Sequence, residues 1–265
     1  LSSPSMRVVL LLLALAATAT AFRTLTFAPR KQSLLHVEKL EGNPEYKKVF
    51  VAGGTKGVGL SVVQQLSAAG TDCVCVARDE SAVKMLNDLP HVTAVQGDAF
   101  DYKSIEDSMW GCDAVVTTLG GQTEDGRRVD YEGNNNVIES AGILGVTRLV
   151  LVTSVGCGDS ADAAPPAVFE ALKDVLQDKE KAERVLQRYY TNMNWTIVRP
   201  GGLKSEPATG KAVLTEDRMA IGSVHREDVA KLVIEALKSA KTKKKVLAAV
   251  DMTLGGDREV EEFVL

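Results

Sequence analysis

The stretch G53-G-T-K-G-V-G59 sets three glycines, Gly53, Gly57 and Gly59, between the apolar run V49-F-V-A52 and a resumed apolar pattern. Each glycine then has a task. Gly53 permits a tight turn out of a strand, Gly57 lets a pyrophosphate approach the backbone, and Gly59 lets the next helix pack closely on the strand. Thr55 and Val58 lie in the same turn, and the helix start offers free N–H groups and a positive dipole end to phosphates. The chemistry this implies is dinucleotide binding. The competing reading is a glycine-rich turn with no ligand.

Further positions refine the ligand. The second apolar run ends at A77-R-D79. An acidic side chain there would bond the ribose 2′-hydroxyl of NAD, whereas Arg78 accommodates the 2′-phosphate of NADP. Lys56 adds a second cation, so NADP(H) is expected in preference to NAD(H), with Asp79 as a cap for the next helix. In Q96-G-D-A99, Asp98 with Ala99 would stand beside the adenine, with capping of a helix as the alternative for Asp98. In T117-T-L-G-G121 the small residues Thr118, Leu119 and Gly120 fall where the chain passes a ribose.

Positioning these residues requires a regular scaffold. From about Lys47, short apolar runs alternate with helical patterns. Strands are expected at V49–A52, C73–A77, V92–Q96, D113–T118, R148–T153, W195–R199 and V246–V250. Helices are expected at Gly57–Ala69, Glu80–Asp88, Tyr102–Met109, Tyr131–Ala141, Phe169–Tyr190 and Arg226–Ser239. Continuous apolar strands separated by helices predict an α/β fold with a doubly wound parallel sheet, a single Rossmann-type domain over 45–265. The formal net charge of −4 and the ordinary 25% of charged residues argue against a nucleic-acid partner. The chain's end at Leu265, with little helix after the last strand, is read as a truncated C-terminus.

Residues 1–37 contain no Asp or Glu. Met6-Arg7, the apolar V8–A17 and the small-x-small A19-T-A21 make a signal peptide, and the basic, hydroxyl-bearing R23–L35 has transit-peptide composition. Residues 1–37 are therefore expected to be a bipartite leader for a plastid, to the stroma or the stromal face of a membrane, with secretion as the alternative. The four cysteines, three of them in or beside apolar strands, do not form a disulfide framework. Cys73 and Cys75 alternate on one strand face and are expected in the core.

Taken together, V51–G59, V129-D-Y-E-G-N-N-N-V-I-E-S-A141, R148–S154, W195-T-I-V-R-P-G-G-L203 and G222-S-V-H-R-E-D-V-A230 resemble the atypical branch of the short-chain dehydrogenase/reductase superfamily, and plastid members related to the NADP-binding stromal subunit of the chloroplast inner-envelope translocon. The resemblance implies that Thr153, Pro200, Gly201 and Gly202 approach the cofactor. It also implies a catalytic Ser at Ser154 and a ribose-binding Lys at Lys179, with a solvated Lys179 as the alternative and Lys181 as a competitor. The tyrosine that such enzymes carry four residues before the lysine is replaced by Val175, and no Tyr occurs between Tyr131 and Tyr189. Tyr189 and Tyr190 lie roughly 15 Å further along the helix, too far to substitute, and are expected to anchor it. The segment Gly156–Pro166 is expected to line an acceptor pocket. His225 suits acid/base work, but a capping or surface role is preferred. No metal site is indicated. Two functions remain: an NADPH-dependent reductase of a small carbonyl, quinone or flavin-like acceptor, and a non-catalytic NADP-binding, redox-sensing or docking subunit of a plastid membrane complex.

Overall fold

The computed structural model describes residues 46–255 and 259–265; the proposed leader lies outside them. Ten strands and six α-helices occur among the described residues. The central sheet has the order β3-β2-β1-β4-β5-β6-β10-β8. Its strands are β1 (Lys48–Ala52), β2 (Asp72–Ala77), β3 (Val92–Gln96), β4 (Ala114–Thr117), β5 (Arg148–Val152), β6 (Asn194–Pro200), β8 (Val213–Thr215) and β10 (Lys245–Val250). All neighbours run parallel except β8, which pairs antiparallel with β10 at the edge. A second, two-stranded sheet joins β7 (Gly202–Lys204) to β9 (Ser223–His225). The doubly wound parallel sheet is thus present, with an antiparallel edge and a small annex that three-residue strands make hard to see in sequence.

Side-chain alternation along the strands explains the two layers. Val49 and Val51 face one core with α1 (Gly57–Ala68), α2 (Glu80–Asn87) and α6 (Arg226–Lys238). Phe50 and Ala52 face the other, with α3 (Tyr102–Met109), α4 (Glu132–Ile143) and α5 (Pro166–Tyr189). Strands covered on both faces must be apolar throughout, and β5, R-L-V-L-V, is buried at every residue. Its one charge, Arg148, spends its donors on Leu237 O, Asn194 O and the Thr196 and Thr242 hydroxyls. Burial pushes that guanidinium down to about 10. Helix α1 stops where expected: Gly70, at φ +75°, lets its own N–H reach Ser67 O while Thr71 N–H reaches Leu66 O.

The chain order reverses direction between β1 and β4, so the loops after their carboxyl ends diverge and leave a crevice. Gly53 and Gly59 set its floor. A Cβ at Gly59 would fall 2.1 Å from Gly53 O and 2.4 Å from Thr118 Oγ1, and Gly53 itself stands at φ +82°.

On the α5 side of the sheet lies a buried ion pair, Arg199 Nη2 to Glu183 Oε2 at 2.7 Å, extended by Asp159. Burial opposes the Arg199 charge, but the hydrogen bonds and charges of Glu183 and Asp159 outweigh it and raise the guanidinium further. Thr153 Oγ1 donates to Glu183 Oε1 at 2.6 Å. The preceding loop packs onto this pair. Gly158 sits where a Cβ would be 3.1 Å from Arg199 Nη2.

Two stability outcomes follow. Gly59→Ala should cost about 1–3 kcal/mol or more because the clash is with backbone, whereas Gly202→Ala, whose Cβ would meet nothing closer than 3.4 Å, should stay within about 0.5 kcal/mol by urea denaturation. Arg199→Met, which strands a buried Glu183, should cost about 3–5 kcal/mol, and adding Glu183→Leu should recover part of that loss.

Candidate functional site

The crevice at the switch point is lined by residues from four strand ends. Gly53, Thr55 and Lys56 come from the turn after β1, Arg78 from the end of β2, Asp98 and Ala99 from the loop after β3, and Thr118, Leu119 and Gly120 from the loop after β4. Nine of the residues singled out in sequence therefore share one cleft. Gly57, Val58 and Gly59 begin α1 directly behind Lys56, with Val58 and Gly59 buried.

The loops are held by side chains of the V129–A141 motif. Asn134 Nδ2 donates to Leu119 O at 3.3 Å and to Asp130 O at 2.8 Å, while its carbonyl accepts from Thr117 Oγ1 at 2.6 Å. Asn136 Nδ2 donates to Ala99 O at 2.8 Å. Two asparagines of one helix, α4 (Glu132–Ile143), thus fix the loops after both β3 and β4. Thr118 Oγ1 donates back to Ala52 O and Gly53 O, locking the β4 loop to the glycine turn.

Charge at the two ends of the cleft differs. At the outer end, the side chains of Lys56 and Arg78 are exposed and have no ion-pair partner among the described residues. Asp79 stands at the start of α2, but its side chain makes no capping bond. Asp98 does not cap a helix either: Oδ1 accepts from Phe100 N–H in a local turn, and Asp101 caps α3. Its carboxylate therefore stays beside the cleft. Behind Gly120, outside the lining itself, Lys179 Nζ lies 2.9 Å from Asp130 Oδ1 and donates to Leu119 O at 3.4 Å. Asp130 is fully buried, and its other oxygen accepts from Gly121 N–H at 3.0 Å. The pair fits because Gly120 has no side chain; a Cβ there would be 3.1 Å from both Asp130 Oδ1 and Lys179 Nζ. Lys179 is therefore not solvated. Lys181 is, and pairs with Asp178.

Other expectations change. Thr153 is buried with its hydroxyl turned to Glu183, away from the cleft, because β5 alternation points it toward α5. Ser154 is half-buried and donates to Val155 O at 2.9 Å. Pro200, Gly201 and Gly202 are not in the cleft lining: Gly201 N–H donates to Ala249 O, and Gly202 N–H to Gly222 O. The segment after Ser154 folds as a 3₁₀ turn (Gly158–Ala163) packed on Arg199 and contributes nothing to the lining of this cleft. Tyr190 packs against Gly142 as an anchor, but Tyr189 is 74% exposed and anchors nothing.

His225 is not on the surface. It precedes α6, is 5% exposed, and its Nδ1 faces Asp228 Oδ2 at 3.8 Å without a hydrogen bond. Asp228 accepts from Thr209 N–H and Gly210 N–H, and Thr209 Oγ1 bridges on to Asp251. This cluster clamps the otherwise exposed loop 205–211 onto α6. The four cysteines are buried and reduced. Burial pushes the Cys73 and Cys157 thiols up to about 12 and Cys112 up to about 11, which makes them inert core residues.

The sequence did not single out Phe100, Gln122 or Thr123 in the cleft lining, or Asp130 beneath it. Phe100 carries Arg127 stacked 4.0 Å over its ring. The Asp130 signal was present in V129-D-Y, but its partner comes from a helix distant in sequence.

The cleft corresponds to what is known of other proteins. The chain is 32% identical to a chloroplastic protein of Arabidopsis thaliana over 77% of its own length and 76% of that protein's. It is 26% identical to the chloroplastic protein TIC 62 of Pisum sativum, over 70% of this chain but 39% of that protein. Among solved structures, ChuY, an anaerobillin reductase from Escherichia coli O157:H7, superposes with a TM-score of 0.72 at 29% identity, covering 78% of this chain and 98% of ChuY. The family described as NAD(P)H-binding matches residues 53–240, which span the glycine turn, the cleft residues from Gly53 to Val129, and Lys179. The chain belongs to that NAD(P)H-binding family, as an oxidoreductase-like Rossmann domain.

Proposed function

We propose that the chain is an NADPH-dependent reductase of the plastid that acts on a small carbonyl, quinone or flavin-like acceptor. The observation that carries this reading is the polarity of one continuous cleft. It begins at two unpaired cations, Lys56 and Arg78, passes the glycine turn, and reaches Gly120, behind which the buried Lys179–Asp130 pair stands close enough to meet a Cβ on that glycine. A dinucleotide with an extra phosphate on its adenosine ribose suits that distribution. The similarity to ChuY, an anaerobillin reductase, supports a reductase. The chloroplastic relatives and the acid-free N-terminal sequence support the plastid.

Bound NADPH would supply a hydride. Lys56 and Arg78 would hold the 2′-phosphate through charge-assisted hydrogen bonds. Asp98 would accept from the adenine amino group. Lys179, kept in place by Asp130, retains N–H donors for the ribose hydroxyls of the nicotinamide half. Ser154, turning its hydroxyl from Val155 O, would hydrogen-bond the acceptor's oxygen and stabilise the negative charge that grows there. Val175 offers no proton in place of the phenol, so the balancing proton would come from water or from the acceptor itself.

A second reading has its own support. With no phenol at residue 175, a dinucleotide-binding subunit that docks on a membrane complex is also consistent with the chain. Its outer surface includes Val168 and Leu172, both more than 40% exposed on the first turns of α5, and TIC 62 is a relative. Among the described residues no helix is long and apolar enough to cross a membrane.

Titration with NADPH and NADH, then with quinones, flavins and aldehydes while the reduced nicotinamide is followed by absorbance, separates the two. Arg78→Ala should weaken NADPH by about 10- to 100-fold and leave NADH within about threefold. Ser154→Ala should cut turnover by about 10²- to 10³-fold with NADPH affinity unchanged. Tight binding without turnover on any acceptor would favour the docking reading.

A further inference from the structure

We propose that Arg226, the first residue of α6, binds the pyrophosphate of the dinucleotide from the side opposite the β4 loop, with Ser205 as the residue that aims it. The inference rests on the NAD(P)H reading of the cleft and adds a phosphate ligand outside the glycine turn.

Helix α6 packs along α1 on the same face of the sheet. Gln65 Nε2 donates to Glu227 O at 3.0 Å and so fixes where α6 begins against α1. From there the Arg226 side chain reaches the start of α1: a Cβ on Gly57 would lie 3.6 Å from Arg226 Nε and 3.8 Å from its Cδ. The guanidinium therefore stands in van der Waals reach of the glycine whose bare backbone the pyrophosphate is expected to approach.

That end of α1 has positive charge and nothing to balance it. Its N-cap, Lys56, makes no side-chain capping bond, and the first turn contains no acidic residue. The leading N–H groups and the helix dipole are thus free for an anion. Arg226 is likewise unspent. Its hydrogen bond runs from Nη1 to the neutral Ser205 hydroxyl at 2.7 Å, and no carboxylate pairs with it among the described residues. The acids closest to it in sequence are occupied with the loop instead. Glu227 accepts from Ala208 N–H, and Asp228 accepts from Thr209 and Gly210 N–H.

Ser205 is held by the same architecture. Thr209, bridging Asp228 and Asp251, ties down the far end of loop 205–211, and the β7–β9 pairing ties down its near end. The loop is thus fastened on both sides, and its one contact with the guanidinium leaves most of the five N–H donors in a planar fork free for phosphate oxygens. A diphosphate matches this site because it can bridge the α1 N–H groups and the Arg226 fork at once.

The test uses the full chain and four probes: NADPH, NADH, ADP-ribose and adenosine 2′-phosphate. Arg226→Ala should weaken the first three alike, by about 10- to 100-fold, because each carries a diphosphate. Adenosine 2′-phosphate, which lacks one, should bind unchanged, and so should the ratio of NADPH to NADH affinity. Arg226→Lys should recover part of the loss. Arg226→Gln keeps a polar side chain but removes the charge and the reach of the guanidinium, and it should behave like the alanine variant if its melting temperature matches the parent's. Unchanged affinity for all three diphosphates in folded Arg226 variants would overturn the proposal, and so would a loss confined to NADPH, which would assign Arg226 to the 2′-phosphate. A parent protein that binds none of the probes would instead sink the cofactor reading on which the proposal rests.

Discussion

The structure depends on how closely the chain folds back on itself after β1. Gly59 approaches Gly53 so tightly that no side chain fits between them, and Thr118 locks the β4 loop onto the same carbonyls. That contact sets the angle at which α1 leaves the sheet. It also exposes the first N–H groups of α1 to the crevice, and it brings the loops after β1 and β4 to the spacing that makes the crevice. Placed there, a larger residue would move the helix, and with it the phosphate-facing donors, the Lys56 cation and the surface on which α6 packs.

Polar burial on the other side of the sheet complements this. Two buried ion pairs, Lys179–Asp130 and Arg199–Glu183, sit on the α5 side of the sheet, and each carboxylate accepts a further hydrogen bond, from Gly121 N–H and from the Thr153 hydroxyl. Pairs of this kind contribute little net stability compared with apolar packing, but they are costly to break, so they fix geometry. Arg199–Glu183 holds the β5 end and the turn after Ser154. Lys179–Asp130 fixes an ammonium beside Gly120. Arg199–Glu183 holds together structure away from the cleft lining, whereas Lys179–Asp130 lies directly behind Gly120, which lines it.

Much of this was legible in the sequence because it is local. The apolar runs of β1 and β5, the glycine spacing and the Gly70 stop each follow from chemistry within a few residues, and the cleft lining from Gly53 to Gly120 follows from knowing where such strands end. What was not legible depends on partners distant in the chain. Thr153 belongs to the alternation of Leu149 and Leu151, so its direction toward α5 could have been read from period two, although its bond to Glu183 could not. His225 is buried because Thr209 and Gly210 bring a loop over it, and three-residue strands give no periodic signal. Asp130 was visible inside a recognised motif, but its role appeared only when α5 delivered Lys179.

The most direct test of the account is a fluorescence titration of the protein with NADPH, run to saturation and fitted for stoichiometry, in the parent and in Gly59→Ala. The account predicts one site per chain in the parent and no saturable site in the variant, since the turn that presents the α1 N–H groups can no longer close. Equal binding by the two proteins would contradict it, because the dinucleotide would then be held somewhere other than the crevice between β1 and β4.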